Sequence, residues 1–433
     1  MAQQKRNWVA IITMFFIFGM ISFVTNMAAP FGNIWGMTYD WAGMAGNLMN
    51  FTAYLFMGIP AGNMLIKYGY KKTALIALII GAIGLAVQLV SGMLGGDVFA
   101  LCVYLLGALI CGFCVCMLNT VVNPMLNLLG GGGNTGNQLI QAGGTINSLT
   151  GTFTPMLAGA LVGTLTKESF PDVAPLIITG IVIFLASFFI ISFVKIAEPQ
   201  KNLSNIKYER SPLAFRHCLL GVIAIFFYVG IEIGIPGEMN AWISRLPFEG
   251  AAAVAGSLAA IYWFLMLIGR ALSTVISGKV STRTQLITVA SVAIVLLICA
   301  IFTGNVEINL NINLGFIKID GAQVPLSCVF IFICGLCTSV MWGGIFNLST
   351  EGLGKYTAKA SGLFMTMVVG GGIMPFIQDW IGRSPVGYLN SYWLVIAMLA
   401  YILFYALIGS KNVNTDIPVE IENPNGPDLR DSL

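Results

Sequence analysis

Two carboxylates, Glu232 and Glu238, lie in a long apolar stretch of the chain and are the residues best placed to do chemistry. Between them stand Gly234, Pro236 and Gly237, residue types that weaken or break a helix. A carboxylate inside a bilayer costs about 3 kcal/mol or more, so it indicates a functional site with a partner. We therefore expect an interrupted helix that lines a cavity, with Glu232 buried. For Glu238, which is nearer the end of the stretch, burial and contact with outside water are both open.

The composition is that of a polytopic membrane protein. Hydrophobic residues make up 57% of the 433 residues and charged residues only 9%, against about 25% charged in soluble domains. The net charge of +3 is spread over the loops without a basic helix or arginine cluster, so no nucleic-acid partner is expected. Cys334 and Cys337 have a metal-ligand spacing but no second ligand pair, so we predict no metal site and no cofactor. No enzyme or ATP-binding motif occurs, and we expect a monomer in the lipid bilayer.

Apolar stretches long enough to cross a membrane, about 20 residues each, recur along the whole chain. Twelve of them predict an all-α membrane protein of twelve transmembrane helices with both termini on one side. We number them spans 1 to 12, near 8–31, 43–66, 73–92, 98–122, 138–163, 174–195, 217–238, 251–278, 284–304, 326–349, 360–382 and 388–410. Because 17 of the 21 Lys and Arg residues fall on the side of the termini, the positive-inside rule places both termini in the cytoplasm.

The spans divide six and six around the longest polar connection on the predicted cytoplasmic side. We predict an N-terminal half at 1–196, a linker at 197–216, a C-terminal half at 217–410 and a disordered cytoplasmic tail at 411–433. On the opposite side, the alternating sequence of the 305–325 loop predicts a small hairpin.

The two halves also repeat one another in sequence. A shift of 220 residues aligns identical residues in matching spans, which indicates a parallel repeat with a pathway between the halves. The aligned pairs are Cys114 and Cys334, Asn127 and Asn347, Leu128 and Leu348, Gly132 and Gly352, Gly151 and Gly371, and Pro155 and Pro375.

Neutral hydrogen-bonding side chains and aromatic rings populate the spans. Amides both donate and accept hydrogen bonds, and an aromatic face packs against the C–H face of a ring. Their accumulation favours a neutral polyhydroxyl ligand such as a sugar, although packing between helices is the alternative for any single amide. The candidate sugar-binding residues are Asn26, Asn119, Asn123, Gln141, Asn147, Glu232, Asn240, Trp263, Trp342, Asn347 and Gln378.

Several blocks of sequence, in the same order, resemble the fucose and glucose/galactose permease family of the major facilitator superfamily. The resemblance covers most of the chain, and it implies a twelve-helix major facilitator fold and sugar uptake by alternating access in a bacterial inner membrane. The blocks are YLFMGIPAGNMLIKYGYKK (54–72), NTVVNPMLNLLG (119–130), QAGGTINSLTG (141–151), FYVGIEIG (227–234), YWFLMLIGR (262–270), IFNLSTEGLG (345–354) and SGLFMTMVVGGGIMPFIQDWIG (361–382).

The resemblance also implies roles for particular residues. Asn147 matches the asparagine at the family's sugar site, and Glu232 matches the seventh-span acid of the glucose/galactose branch. Asn26 and Asn119 stand where the proton-coupled fucose branch carries acids, and neither can titrate. Asp379 stands where the family carries glycine. Coupling to H⁺ or Na⁺ would then depend on the remaining acids, of which the candidates are Glu232, Glu238 and Asp379.

Our interpretation is a secondary transporter that takes up a neutral sugar of the fucose, glucose, galactose, mannose or N-acetylhexosamine class, coupled to H⁺ or Na⁺. No basic cluster is evident among the candidates, which argues against sugar phosphates and acidic sugars, and Arg270 is interpreted as a structural partner of the gate. Three alternatives stay open: an uncoupled sugar facilitator, a non-transporting sugar sensor, and a multidrug exporter, whose cavity should be more apolar and less rich in asparagine.

Overall fold

The computed structural model describes residues 7–27, 34–35, 38–39, 42, 45–162, 170–194, 208–248, 250–304, 306–315, 317–414 and 416–419. Helices make up nearly all of this part of the chain. Ten of its helical segments are long and apolar enough to cross a membrane, judged by length and composition. The expected all-α membrane fold is therefore confirmed.

The observed helices follow the predicted spans, with ends that differ by a few residues. They are Trp8–Met27 (span 1), Ala45–Met93 (spans 2 and 3), Val98–Leu129 (span 4), Gly133–Val162 (span 5), Phe170–Phe193 (span 6), Arg216–Ile243 (span 7), Ala251–Ile276 (span 8), Thr282–Phe302 (span 9), Ser327–Thr350 (span 10), Thr357–Met367 and Gly370–Arg383 (span 11), and Tyr388–Phe404 (span 12). Short helical turns of other types lie before span 7 at Pro212–Ala214, before span 11 at Gly354–Tyr356 and after span 12 at Tyr405–Gly409. These elements are consistent with twelve spans. We call the side of the bundle where span 1 begins the terminal side and the opposite side the outer side.

Spans 2 and 3 are joined by a tight turn at one glycine. The segment Ala45–Met93 has 49 residues, which as a straight helix would be about 74 Å long, more than twice the apolar thickness of a bilayer. Gly69 has φ 83° and ψ 175°, a conformation that glycine adopts without steric cost. The basic sequence KYGYKK lies at this turn, so spans 2 and 3 form a hairpin of two helices.

The predicted interruption of span 7 is wrong. Its helix runs without a break over Arg216–Ile243 and contains Pro236. Because proline has no N–H, the carbonyl of Glu232 loses its helical donor. The hydroxyl of Tyr262, in span 8, lies 3.3 Å from that carbonyl and donates to it instead. The alternative that Glu238 lies in water is also wrong, since this residue is only 3% exposed.

The sequence repeat corresponds to a structural repeat on the terminal side. Gly132 and Gly352, which the 220-residue shift aligns, both have positive φ angles, 74° and 70°. Asn127 and Asn347 are aligned as well, and each donates its amide to the opposite half, over 3.1 Å and 3.0 Å respectively. The two halves are therefore held together on the terminal side by equivalent amides.

The loops also bear on the site. On the outer side, strands β1 (Glu307–Asn313) and β2 (Lys318–Pro325) pair antiparallel, which confirms the predicted hairpin. On the terminal side, the backbone N–H of Lys355 donates to the carbonyl of Val419 at 3.0 Å, so this part of the tail packs against the start of span 11. Residues 197–207 of the linker and 420–433 of the tail lie outside the described residues. The cytoplasmic location of the termini and the division into domains stay predictions.

Candidate functional site

A cavity of about 730 Å³ lies between the two halves. Spans 1, 2, 4 and 5 contribute its wall from the N-terminal half, spans 7, 8, 10 and 11 contribute from the C-terminal half, and Ile317 reaches it from the outer hairpin. This volume is typical of sites that enclose a small molecule, about 300–1,000 Å³. Six of the eleven predicted sugar-binding residues line it: Asn119, Gln141, Asn147, Glu232, Trp263 and Trp342.

One ion pair stands in the cavity wall and joins both halves of the protein. Nη2 of Arg270 lies 2.9 Å from Oε1 of Glu232, and both side chains are mostly buried, 12% and 15% exposed. Nη1 of Arg270 donates to Oγ of Ser148 at 2.7 Å and to the carbonyl of Gly144 at 3.3 Å, both in span 5. A planar guanidinium can serve several acceptors at once, so Arg270 connects spans 7 and 8 to span 5.

Arg270, which the sequence analysis interprets as a structural partner of the gate, lines the cavity itself. Its charge is balanced by Glu232, since leaving either group alone in a desolvated wall would be costly. The cavity therefore holds a basic residue, but no surplus positive charge is evident among the described residues that line it.

The three amides in the cavity wall are each fixed by one hydrogen bond to the protein. Nδ2 of Asn147 donates to the carbonyl of Phe18 at 3.0 Å, and Nδ2 of Asn119 donates to the hydroxyl of Tyr54 at 2.9 Å. Nε2 of Gln141 donates across the halves to a carbonyl of span 10 at 2.9 Å. Because an amide has two donor hydrogens and an accepting oxygen, each keeps hydrogen-bonding capacity for a ligand.

Two indole rings form the apolar part of the wall. Trp263 is 39% exposed and packs edge-on against Tyr262, with the ring centroids 5.4 Å apart. Trp342 lies 6.1 Å from the ring of Tyr228, and its Nε1 donates to Oδ1 of Asn123 at 3.0 Å. These contacts hold both rings in place, and both rings line the cavity.

Three other predicted residues are not among the described residues that line the cavity. Asn123 and Asn347 are buried where the halves already touch on the terminal side, and their amides are used in those contacts. Gln378 is fully buried beside Ser391 of span 12. These three amides pack between helices, which is the alternative role that the sequence left open for any single amide.

The remaining predicted positions are Asn240, Asp379 and Asn26. Asn240 stands two turns beyond Glu232, and it is not among the described lining residues. Asp379 forms a largely exposed ion pair with Arg383 one turn along span 11. The side chain of Asn26 lies outside the described part of the chain.

Sequence reasoning gave too little weight to three residues of the site, Tyr54, Ser148 and Arg270. A cation inside a span is as costly as an acid, so Arg270 could have been paired with Glu232 from the sequence. Ser148 directly follows Asn147 in the same sequence block, and Tyr54 opens another block. Only the packing of spans 2, 4 and 5 shows which face of each helix meets the cavity.

Comparison with known proteins agrees with this fold. The sequence profile of the Major Facilitator Superfamily matches residues 9–375. The glucose/galactose transporter of Brucella abortus biovar 1 (strain 9-941) is 28% identical over 411 residues, covering 92% of this chain and 93% of that protein. The L-fucose-proton symporter of Escherichia coli (strain K12) is 22% identical over 428 residues, covering 90% and 91%.

A solved structure has the same architecture. The crystal structure of the major facilitator transporter FucP in the outward conformation superimposes with a TM-score of 0.77 at 19% identity, covering 92% of this chain and 97% of that one. With these findings the family resemblance seen in the sequence is confirmed. The apolar helices and the bacterial relatives also support a multi-pass protein of the bacterial inner membrane. The chain is a transporter rather than an enzyme, and it belongs to the Major Facilitator Superfamily.

Proposed function

We propose that this protein carries a neutral sugar across the membrane by alternating access, coupled to a cation. The observation that carries the proposal is the cavity between the halves, whose wall combines two indole rings, three amides and one internally balanced ion pair. The relatives named as glucose/galactose transporter and L-fucose-proton symporter support the same substrate class.

The chemistry of the wall suits a sugar. A pyranose presents C–H faces that pack on aromatic rings and hydroxyls that must be hydrogen-bonded when they leave water. Trp263 and Trp342 supply the rings, and Asn147 supplies an amide at the position that matches the family's sugar site. A multidrug exporter would have little use for three fixed amides in its cavity.

The charge of the wall suits a neutral sugar. A carboxylate or phosphate bound in a desolvated cavity needs a cationic partner. Arg270 is the cation in the described wall, and its guanidinium already serves Glu232, Ser148 and the carbonyl of Gly144. An acidic sugar would have to compete with Glu232 for this side chain.

The ion pair also offers a route for coupling. A proton or Na⁺ that bound the carboxylate of Glu232 would weaken its hold on Arg270, the residue that contacts span 5. Cation binding and the contact between the halves would thereby affect each other, as thermodynamic coupling requires. The inter-half hydrogen bonds on the terminal side fit a state that faces outward.

Uptake into proteoliposomes, measured with a panel of neutral and acidic sugars under H⁺, Na⁺ or no gradient, tests the function. We expect a neutral sugar to accumulate under the gradient of one of the two cations and not in the absence of a gradient. Glu232→Gln should abolish accumulation while sparing exchange of labelled sugar at equal concentrations, because it removes the charge and keeps the size. Glu307→Gln, an exposed acid on the outer hairpin, is the matched control.

Each alternative predicts a different result in the same assay. A facilitator would equilibrate the sugar and never concentrate it under any gradient. A sensor would exchange no labelled sugar. If a sugar acid or a hexose phosphate outcompeted every neutral sugar, the protein would not be selective for neutral sugars. If the Glu232→Gln variant accumulated sugar as the wild type does, the role of Glu232 would be structural.

A further inference from the structure

Glu238 lies apart from the sugar cavity. Its side chain is 3% exposed and packs against Gly382 of span 11, where an added Cβ would collide with the carboxyl oxygen. It is the sixth residue after Glu232, so it lies about 9 Å further along the helix and roughly 120° around it. This rotation turns Glu238 into the seam between spans 7, 11 and 12. We call Glu238, Gln378 and Ser391 the outer cluster.

The outer cluster has no cation of its own. The charged groups that face Glu238 are Asp379, Arg383 and Arg245. Arg383 is paired with Asp379 at 2.8 Å, and Arg245 donates to the hydroxyl of Tyr388. Among the described residues, no ion pair includes Glu238. A buried carboxylate without a partner is costly, so the carboxyl of Glu238 must be stabilised in another way.

The hydrogen bonds around Ser391 indicate how the carboxyl of Glu238 is stabilised. Oγ of Ser391 lies 2.7 Å from the carbonyl oxygen of Tyr388 and 3.1 Å from Oε1 of Glu238. A serine hydroxyl has a single proton, so it cannot be donated to both oxygens. A protonated Glu238 resolves the conflict, because the acid donates its own proton to Oγ while Ser391 donates to Tyr388. With Ser391 turned to Tyr388, an ionised Glu238 would have no hydrogen-bond donor among the described residues.

Gln378 provides a second, independent observation. It is fully buried, its Nε2 points to Oγ of Ser391 at 3.5 Å, and its Oε1 lies against Gly234 with no hydrogen-bond partner in the described part of the chain. The end of the amide that faces Ser391 is therefore its donor. A hydroxyl oxygen can accept two hydrogen bonds, so Ser391 can accept from Gln378 and from a protonated Glu238 while it donates to Tyr388.

We propose that Glu238, with Ser391 and Gln378, is a proton-binding site outside the sugar cavity and that it carries a proton in the conformation described. The site is near the outer surface, since Glu238 is five residues, about 8 Å, from the end of span 7. Loss of the proton would leave an unpaired carboxylate against Gly382, so the outer ends of spans 7, 11 and 12 would have to separate to admit water. The assignment does not rest on the identity of the transported substrate.

Infrared difference spectroscopy of the full chain in lipid nanodiscs tests the proposal without any substrate. At neutral pH the wild type should show a carboxylic C=O stretching band that is lost in Glu238→Gln. Glutamine keeps the size of the acid and can donate to Ser391, so the variant mimics the protonated side chain. Asp379→Asn, which removes a neighbouring, partly exposed acid, should leave the band in place.

Ser391→Ala is a second variant that keeps the acid and removes its acceptor, so the band should persist and shift in frequency. The proposal is overturned if Glu238→Gln removes a carboxylate band instead of a carboxylic one. A band that Ser391→Ala does not move would remove Ser391 from the site. Loss of the carboxylic band on adding Na⁺ at constant pH would also overturn it, because the site would then bind sodium rather than a proton.

Discussion

Glu232 and Glu238 are six residues apart on one continuous helix, yet they are buried in two different ways. Glu232 faces the cavity and is paired with Arg270 at 2.9 Å, and Arg270 in turn contacts Ser148 of the other half. Glu238 faces a seam inside the C-terminal half and contacts Ser391. Glu232 has a cation as its partner, whereas no ion pair includes Glu238 among the described residues, and we propose that Glu238 holds a proton instead. The face of the helix, rather than the residue type, decides which chemistry each acid has.

The largest expected effect comes from removing one member of the buried ion pair between Arg270 and Glu232. Arg270→Gln leaves the carboxylate of Glu232 buried without a cation, and removing one member of a buried ion pair costs about 3–5 kcal/mol. We expect a clear loss of thermal stability in detergent and of sugar uptake in proteoliposomes. The double variant Glu232→Gln/Arg270→Gln should recover most of the stability, because neither charge remains.

Thermal unfolding of the wild type, both single variants and the double variant distinguishes the contribution of the ion pair to stability from that of the other contacts of Arg270 and Glu232. A double variant no more stable than Arg270→Gln would mean that the guanidinium stabilises the protein through span 5 alone. An Arg270→Gln variant as stable as the wild type would contradict the burial of the pair itself.

A smaller effect should distinguish cavity residues from residues in the seam. Asn147→Ala removes an amide from the cavity wall, where an unpaired sugar hydroxyl costs about 1–3 kcal/mol. The affinity for the sugar should fall about tenfold or more, as measured by equilibrium binding to the purified protein. Gln378→Ala, in the seam, should leave the affinity unchanged. Equal affinities for wild type and Asn147→Ala, with the variant folded, would remove Asn147 from the sugar site.

Features that belong to a single segment could be predicted from the sequence, whereas contacts between helices could not. Apolar runs of membrane length predict the spans because each run is a property of a single segment. The interruption of span 7 was predicted for the same local reason, the presence of Pro236. It is wrong because Tyr262, from another helix, supplies a hydrogen bond to the freed carbonyl of Glu232, and a contact of this kind cannot be read from the segment alone.

The sequence also could not predict which amides line the cavity and which pack between helices. Asn119 and Asn123 are one helical turn apart on the same span and differ only in depth, yet Asn119 lines the cavity and Asn123 is buried against Trp342. The depth at which the two halves meet depends on the conformation of the whole transporter. The composition of the cavity could be predicted from the sequence, but the members of its wall required the packing of the spans.

The smallest expected effect concerns Asp379, the third acid that the sequence proposed for coupling. It pairs with Arg383 one turn away at 2.8 Å, and the two side chains are 32% and 59% exposed. Exposed pairs of this spacing contribute about 0.3–0.5 kcal/mol, and neither residue lines the cavity described. Asp379→Asn should therefore change the free energy of unfolding by no more than about 0.5 kcal/mol and leave cation-driven accumulation at the wild-type level. The measurement is the same proteoliposome assay, with Arg383→Gln as the variant that removes the other partner of the pair. If Asp379→Asn abolished accumulation while Arg383→Gln did not, this partly exposed acid would itself take part in coupling.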